Sequence, residues 1–166
     1  VRKATDVEVS NLIEIFSVLE VEEIENPNSL FTNVGILDVY PKCLSIEDAA
    51  MLIGAEHNAR YEHRFVEFFQ RCVEMIPGSV YVLQRPIFSE PKHSEKAIFR
   101  IEESNDLLNI LTFMTREQCF YNIYFIEAKT AIIGNFDLSW PIYSNSDNYN
   151  IFNEVARDVN LYIRTS

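Results

Sequence analysis

Two apolar, β-rich runs, "CFYNIYFIE" (119–127) and "TAIIGNF" (130–136), are separated only by Ala128 and Lys129. So short a gap allows an antiparallel hairpin and nothing else, because a parallel return needs a crossover of a dozen residues or more. Helical patterns lie on both sides of it. "TDVEVSNLIEIFSVLEVEEIE" opens with Thr5 and Glu8 as a capping box, and Val9, Leu12, Ile13, Phe16 and Leu19 follow at helical spacing. Ser45 with Asp48 repeats the capping signature ahead of a short helix ending near Gly54. From Glu56 to Ile76 one stripe holds Phe65, Phe69, Cys72 and Ile76, and Pro77–Gly78 ends it. Ser104–Met114 carries Leu107, Leu111 and Met114 on one face, and Asp147 is placed to cap a last helix that turns Ile151, Phe152, Val155 and Val159 inward. Further strands are expected at Val34–Tyr40, in "SVYVLQRPIF" (79–88) and "KAIFRIE" (96–102), through the extended "LSWPIYS" (138–144), and in the closing "LYIR" (161–164). The pattern predicts an α+β fold: one globular domain over 1–166, with a mixed, mostly antiparallel sheet and helices packed on one face.

At 166 residues the chain is long enough to bury about two-thirds of its unfolded surface without staples. Its charge is the unusual quantity: 25 acids against 14 bases, a formal net charge of −11. Such a surface repels phosphate backbones and anionic membranes, so neither nucleic acid nor a membrane is an expected partner. A basic protein is attracted instead, and its encounter accelerated. The competing explanation is that the acids serve solubility alone. Cys43, Cys72 and Cys119 are odd in number and form no C-x-x-C, which suits a reducing, cytoplasmic address. The N-terminus has neither the apolar core of a signal peptide nor an initiator Met, a pattern consistent with a trimmed chain.

Signatures of catalysis are missing. His57 and His63 sit about 240° apart on a helix and cannot share a metal. His63 and Glu67 do share a face, but a metal there needs a third ligand, and a solvated, salt-bridged stripe is the simpler account. "EPKH" (90–93) has E-x-x-H spacing in a proline loop, without the rigid helix that a di-iron site uses. Gly35, Gly54, Gly78 and Gly134 are isolated, so no phosphate-binding loop can be built from them. Cys72 lies on an apolar stripe, where a packed thiol is expected. No metal and no cofactor is therefore expected.

Two stretches suit contact with a partner. From Asp6 to Glu25 there are seven acids and no base. "IIGNFDLSWPIYSNSDNY" (132–149) holds the only tryptophan among Asp, Asn, Ser and Tyr. Trp and Tyr offer rigid contact area with a polar tip, the profile of binding anchors, although a core Trp beside a turn fits the same letters.

"AIIGNFDLSWPIYSNSD" followed by "FNEVARDVNLYIR" resembles the C-terminal pattern of bacterial immunity proteins from polymorphic toxin and contact-dependent inhibition systems. In that pattern a strand ends in Asp, an extended segment follows, and a helix leads into a "LYIR"-like tail. The resemblance covers about the last quarter of the chain, mainly 131–164. It implies a cytoplasmic protein, not an enzyme, that neutralises a cognate toxin, often a basic nuclease, by occluding its active site. The residues expected to meet that toxin are Asp137, Trp140, Tyr143, Asp147 and Tyr149, with Glu20, Glu22, Glu23 and Glu25 from the acidic stretch. Two alternatives remain open at this point: a small hydrolase-like enzyme using His63 with Glu67 or a cysteine assembled by the fold, and a regulatory module that binds another cytoplasmic protein.

Overall fold

The computed structural model describes residues 1–85, 87 and 97–165. The chain runs β1 (Arg2–Lys3), α1 (Asp6–Phe16), β2 (Asn33–Asp38), α2 (Ile46–Leu52), α3 (His57–Met75), β3 (Val80–Arg85), β4 (Ile98–Arg100), α4 (Ser104–Thr115), β5 (Phe120–Phe125), β6 (Thr130–Ile133), β7 (Trp140–Ser144), α5 (Asn150–Asp158) and β8 (Tyr162–Arg164). Single 3-10 turns sit at Val21–Glu23, Pro27–Ser29 and Phe136–Leu138. Among the described residues the strands form one sheet in the order β1-β4-β3-β5-β6-β7-β2-β8, antiparallel at every pairing rather than mixed as expected. The α+β class and the central hairpin are as expected. The hairpin loop is longer than its letters suggest. Pairing ends at Phe125↔Thr130, and Ile126–Lys129 make the turn, with Lys129 at a φ of 46°.

Alternation along the central strands sorts side chains onto two buried faces. Val80 and Val82, Ile123 and Phe125, Ile132 and Ile142 point to one side, where α3, α4 and α5 cover them with Phe65, Phe69, Leu111, Phe152 and Val155. Tyr81 and Leu83, Tyr124, Ala131 and Ile133, and Tyr143 point to the other. There α1 and the chain after it supply Leu12, Phe16, Val21 and Phe31. The expected one-sided packing therefore holds for three helices, while α1 closes the opposite face. The central strands are apolar at nearly every position, and a sheet buried on both faces has that composition.

Local rules account for most boundaries. Thr5 Oγ1 accepts the Glu8 N–H while the Glu8 carboxylate accepts the Thr5 N–H at 2.8 Å, so the capping box forms. Ser45 Oγ accepts the Asp48 N–H at 3.1 Å and starts α2. The last helix departs from expectation. Its first turn is entered through Tyr149, which has helical φ and ψ and makes no side-chain cap, and Asp147 stays two residues outside. The turn before it is built instead from Ser144 Oγ and Ser146 Oγ, which accept the N–H groups of Ser146 and Asn148. Pro141 is tolerated within the sheet because the pairing of β7 with β6 stops at Ile142, while the pairing with β2 continues to Trp140. "EPKH" (90–93) lies outside the described residues. Among those described, no helix is long and apolar enough to cross a membrane.

Trp140 is fully buried, its ring centroid 4.7 Å from Phe65 and 5.9 Å from Phe69. Its indole N–H donates to the Asn135 carbonyl at 2.9 Å, so its one polar atom is satisfied inside the fold. We expect Trp140→Ala to cost on the order of 3–5 kcal/mol in urea unfolding followed by circular dichroism. A cost within about 0.5 kcal/mol, the range of ordinary surface substitutions, would contradict this placement.

Candidate partner-binding surface

The structure does not bring the expected contact residues to one place. Trp140 belongs to the core and cannot serve as an exposed anchor, because the alternation of β7 turns it toward α3. Tyr143 is also a correction: it is 9% exposed, and its ring stacks on Phe31 on the second face of the sheet. Tyr149 is half-buried against Phe152, and burial pushes its phenol up to about 12. Asp137 and Asp147 are exposed, but at opposite ends of the sheet. Asp137 follows the end of β6, and Asp147 follows the end of β7, which runs the other way. Asp137 sits at a φ of 59°, held there by its N–H donating to Glu117 Oε1 at 2.8 Å.

The glutamates of the 20–25 stretch lie on the second face, and they are not all turned outward. The Asn122 side-chain amide donates to the Glu22 carboxylate, and the Tyr124 hydroxyl donates to the Leu19 carbonyl. Glu22 thus belongs to a polar seam between β5 and the 3-10 turn Val21–Glu23. Arg85 faces the same region. Burial lowers its pKa, and the charge of Glu22 opposes that shift. Its guanidinium donates to the Gly134 carbonyl and lies 5.9 Å from the Phe120 ring centroid. Glu23 and Glu25 are exposed and Glu20 is partly so. This seam was missed by sequence reasoning, although Asn122 inside the apolar run "FYNIYF" is a polar residue that needed a partner.

Farther back in the acidic stretch, Glu8 is a structural anchor. It accepts two hydrogen bonds from the Arg2 guanidinium, at 2.7 and 2.9 Å, and one from the Tyr81 hydroxyl at 3.0 Å. Arg100 approaches to 3.5 Å. The Arg2 bonds first, then the Thr5 N–H and the Tyr81 hydroxyl, hold the Glu8 carboxyl far below the usual carboxylate range.

The groups considered for catalysis are dispersed. Glu67 pairs with Arg71 at 2.7 Å, the i,i+4 bridge that the spacing suggests, and the neighbouring His63 is exposed. Cys72 is buried, and burial pushes its thiol well above the ordinary range. Cys43 is exposed and Cys119 partly so. His57 is buried between Tyr40 and Tyr61, with its Nδ1 2.9 Å from Asn58 Oδ1. Among the described residues the most buried ion pair is structural: Asp38 Oδ2 accepts from Arg164 at 2.9 Å and from Ser139 Oγ at 2.7 Å, while Oδ1 accepts the Tyr40 N–H. It ties β8 to β2. No group of three metal-ligating side chains converges among the described residues.

What the surface does offer is α2. It buries no side chain, and Ile46 and Met51 are 89% and 83% exposed. Two hollows lie at its C-terminal end and share Gly54 and Ala55. One, of about 650 Å³, reaches to Asn58, Glu62, Glu117 and Asp137; the other, of about 430 Å³, reaches from Met51 and Leu52 to His57 and Arg60. In the first, Glu62 is held by Thr115 Oγ1 at 2.6 Å and by Arg116 at 3.1 Å. Partial burial works to raise its pKa, but these two donors outweigh it and the net shift is downward. Compared with known proteins, the chain matches no family model, no curated protein and no solved structure.

The depressed carboxyls set an acid limit. A carboxylate whose folded pKa lies below its unfolded value of about 4.3 stabilises the fold fully above that value and loses the contribution as pH falls through the folded one. We expect unfolding midpoints to drop steeply below pH 4. Glu8→Gln should be less stable at pH 7 and show a shallower acid decline, measured by denaturant titration from pH 7 to pH 2.5.

Proposed function

We propose that this protein is an immunity protein that binds a cognate bacterial toxin with a basic active-site region, of the nuclease kind, and neutralises it by occlusion. The observation that carries the reading is the charge: 25 acids against 14 bases on a folded domain. A field of that sign draws a positively charged groove toward it and speeds capture, which is what neutralising a toxin inside a cell requires. The resemblance of residues 131–164 to immunity proteins supplies the class of partner. Catalysis has no part in this role. An interface of ordinary size, roughly 1,600 Å² in total, is sufficient if a few anchors are well buried.

The aromatic anchors inferred from the sequence do not serve here, since Trp140 and Tyr143 are core residues. The acids remain available to steer at long range. Asp6, Glu14 and Glu25 are exposed along the N-terminal stretch, and Asp137 and Asp147 at the two ends of the sheet. Steering needs only the summed field, not one cluster.

Co-expression with the toxin domain encoded by the adjacent gene tests the reading. We expect rescue of growth and a complex that survives purification. Absence of both would overturn it. The association rate should fall on the order of tenfold between 10 and 150 mM salt, as screening shortens from about 30 to about 8 Å.

A further inference from the structure

We infer that α2, a protruding ridge with two hollows at its C-terminal end, is where the basic partner docks, through exposed apolar side chains interspersed with carboxylates. The inference rests on the toxin-binding reading and adds the surface to it.

Helix α2 is formed by local rules alone. Ser45 caps it, Glu47 and Asp48 lie at the favourable end of its dipole, and Ala49, Ala50, Met51 and Leu52 are good helix formers. Seven residues with no buried side chain make a marginal helix in water. Yet its side chains are not those of a solvated helix: Ile46, Met51 and Leu52 are all exposed. Their apolar surface gains free energy only when something covers it. The hollows at its C-terminal end give the surface relief, so a partner can lodge side chains beside the ridge.

Charge selects the occupant. Glu47, Asp48, Glu56 and Asp137 are exposed around the ridge and its hollows, and none of them enters an ion pair among the described residues. Residues 44–56 contain no base; of the bases that line the hollows, Arg116 is paired with Glu62, and the exposed Arg60 is outnumbered by these carboxylates. A second copy of this chain would bring the same carboxylates to the same ridge and repel, whereas a groove with an apolar floor and a lysine- or arginine-rich rim matches on both counts.

The test uses the full chain and the toxin domain encoded by the adjacent gene. Met51→Asp with Leu52→Asp should leave the unfolding midpoint unchanged and weaken toxin binding at least 100-fold. Glu47→Lys with Asp48→Lys should slow association about tenfold. Val7→Asp, an exposed site on α1, should bind like the parent. Amide exchange across 46–53 should be fast in the free protein and slowed in the complex. If the parent binds the toxin and the Met51/Leu52 variant binds equally well, this surface is wrong while the immunity reading stands. If the parent fails to bind, both fall. A large loss of stability in the variant would show that α2 is packed after all, and a parent dimer that the variant dissolves would make the ridge a self-interface; either result overturns the proposal.

Discussion

Burial of the sheet on both faces is the constraint from which the rest of the molecule follows. Val82 and Leu83 are neighbours in sequence, both are buried, and they face opposite layers. The same holds for Ile123 and Tyr124, and for Ile132 and Ile133. A sheet of that composition in water requires two covers. α3, α4 and α5 make one. The N-terminal segment makes the other, by laying Leu12, Phe16, Val21 and Phe31 on Tyr81, Tyr124 and Tyr143. Glu8 is part of this closure, because its bonds to Arg2 and Tyr81 join the start of α1 to both β1 and β3.

This arrangement explains why an acidic stretch and an aromatic stretch that look alike as surface features differ in fate. The aromatic residues of 140–143 are strand residues, so every one of them faces a buried layer. The acids of 6–25 lie on a covering layer, whose outer side meets water. One of them, Glu22, is drawn inward by Asn122. Residues free to meet another protein are those on elements that the core did not recruit, and α2 is the clearest of these.

Much of the fold was legible from short-range rules. Capping at Thr5 and Ser45, the stripe of Phe65, Phe69 and Cys72, and the β5–β6 hairpin all depend on neighbours a few residues apart, and all formed. What depends on distant contacts was not legible. That α1 crosses to the second face is decided by which strands lie at the centre of the sheet. The burial of Trp140 is decided by α3, about seventy residues earlier in the chain. Asp147 reads as a cap, but the serine-built turn at Ser144–Asn148 takes up the local donors and moves the helix start to Tyr149 and Asn150. For the surface, the failure has one cause: Trp and Tyr are written identically whether they fill a core or crown an interface, and only the register of β7 separates the two uses.

The sheet ends in a strand of two residues, β1, and another of three, β8. Free strand edges are where chains stick to one another or lend their backbone to an incoming peptide. Among the described residues, borders this short give such a peptide little ladder to extend. The Asp38–Arg164 pair further ties β8 to its inner neighbour β2. A partner meeting these described borders would have to be held by side chains rather than by added backbone pairing, and residue changes on the outer elements could alter such contacts while the sheet stays as it is.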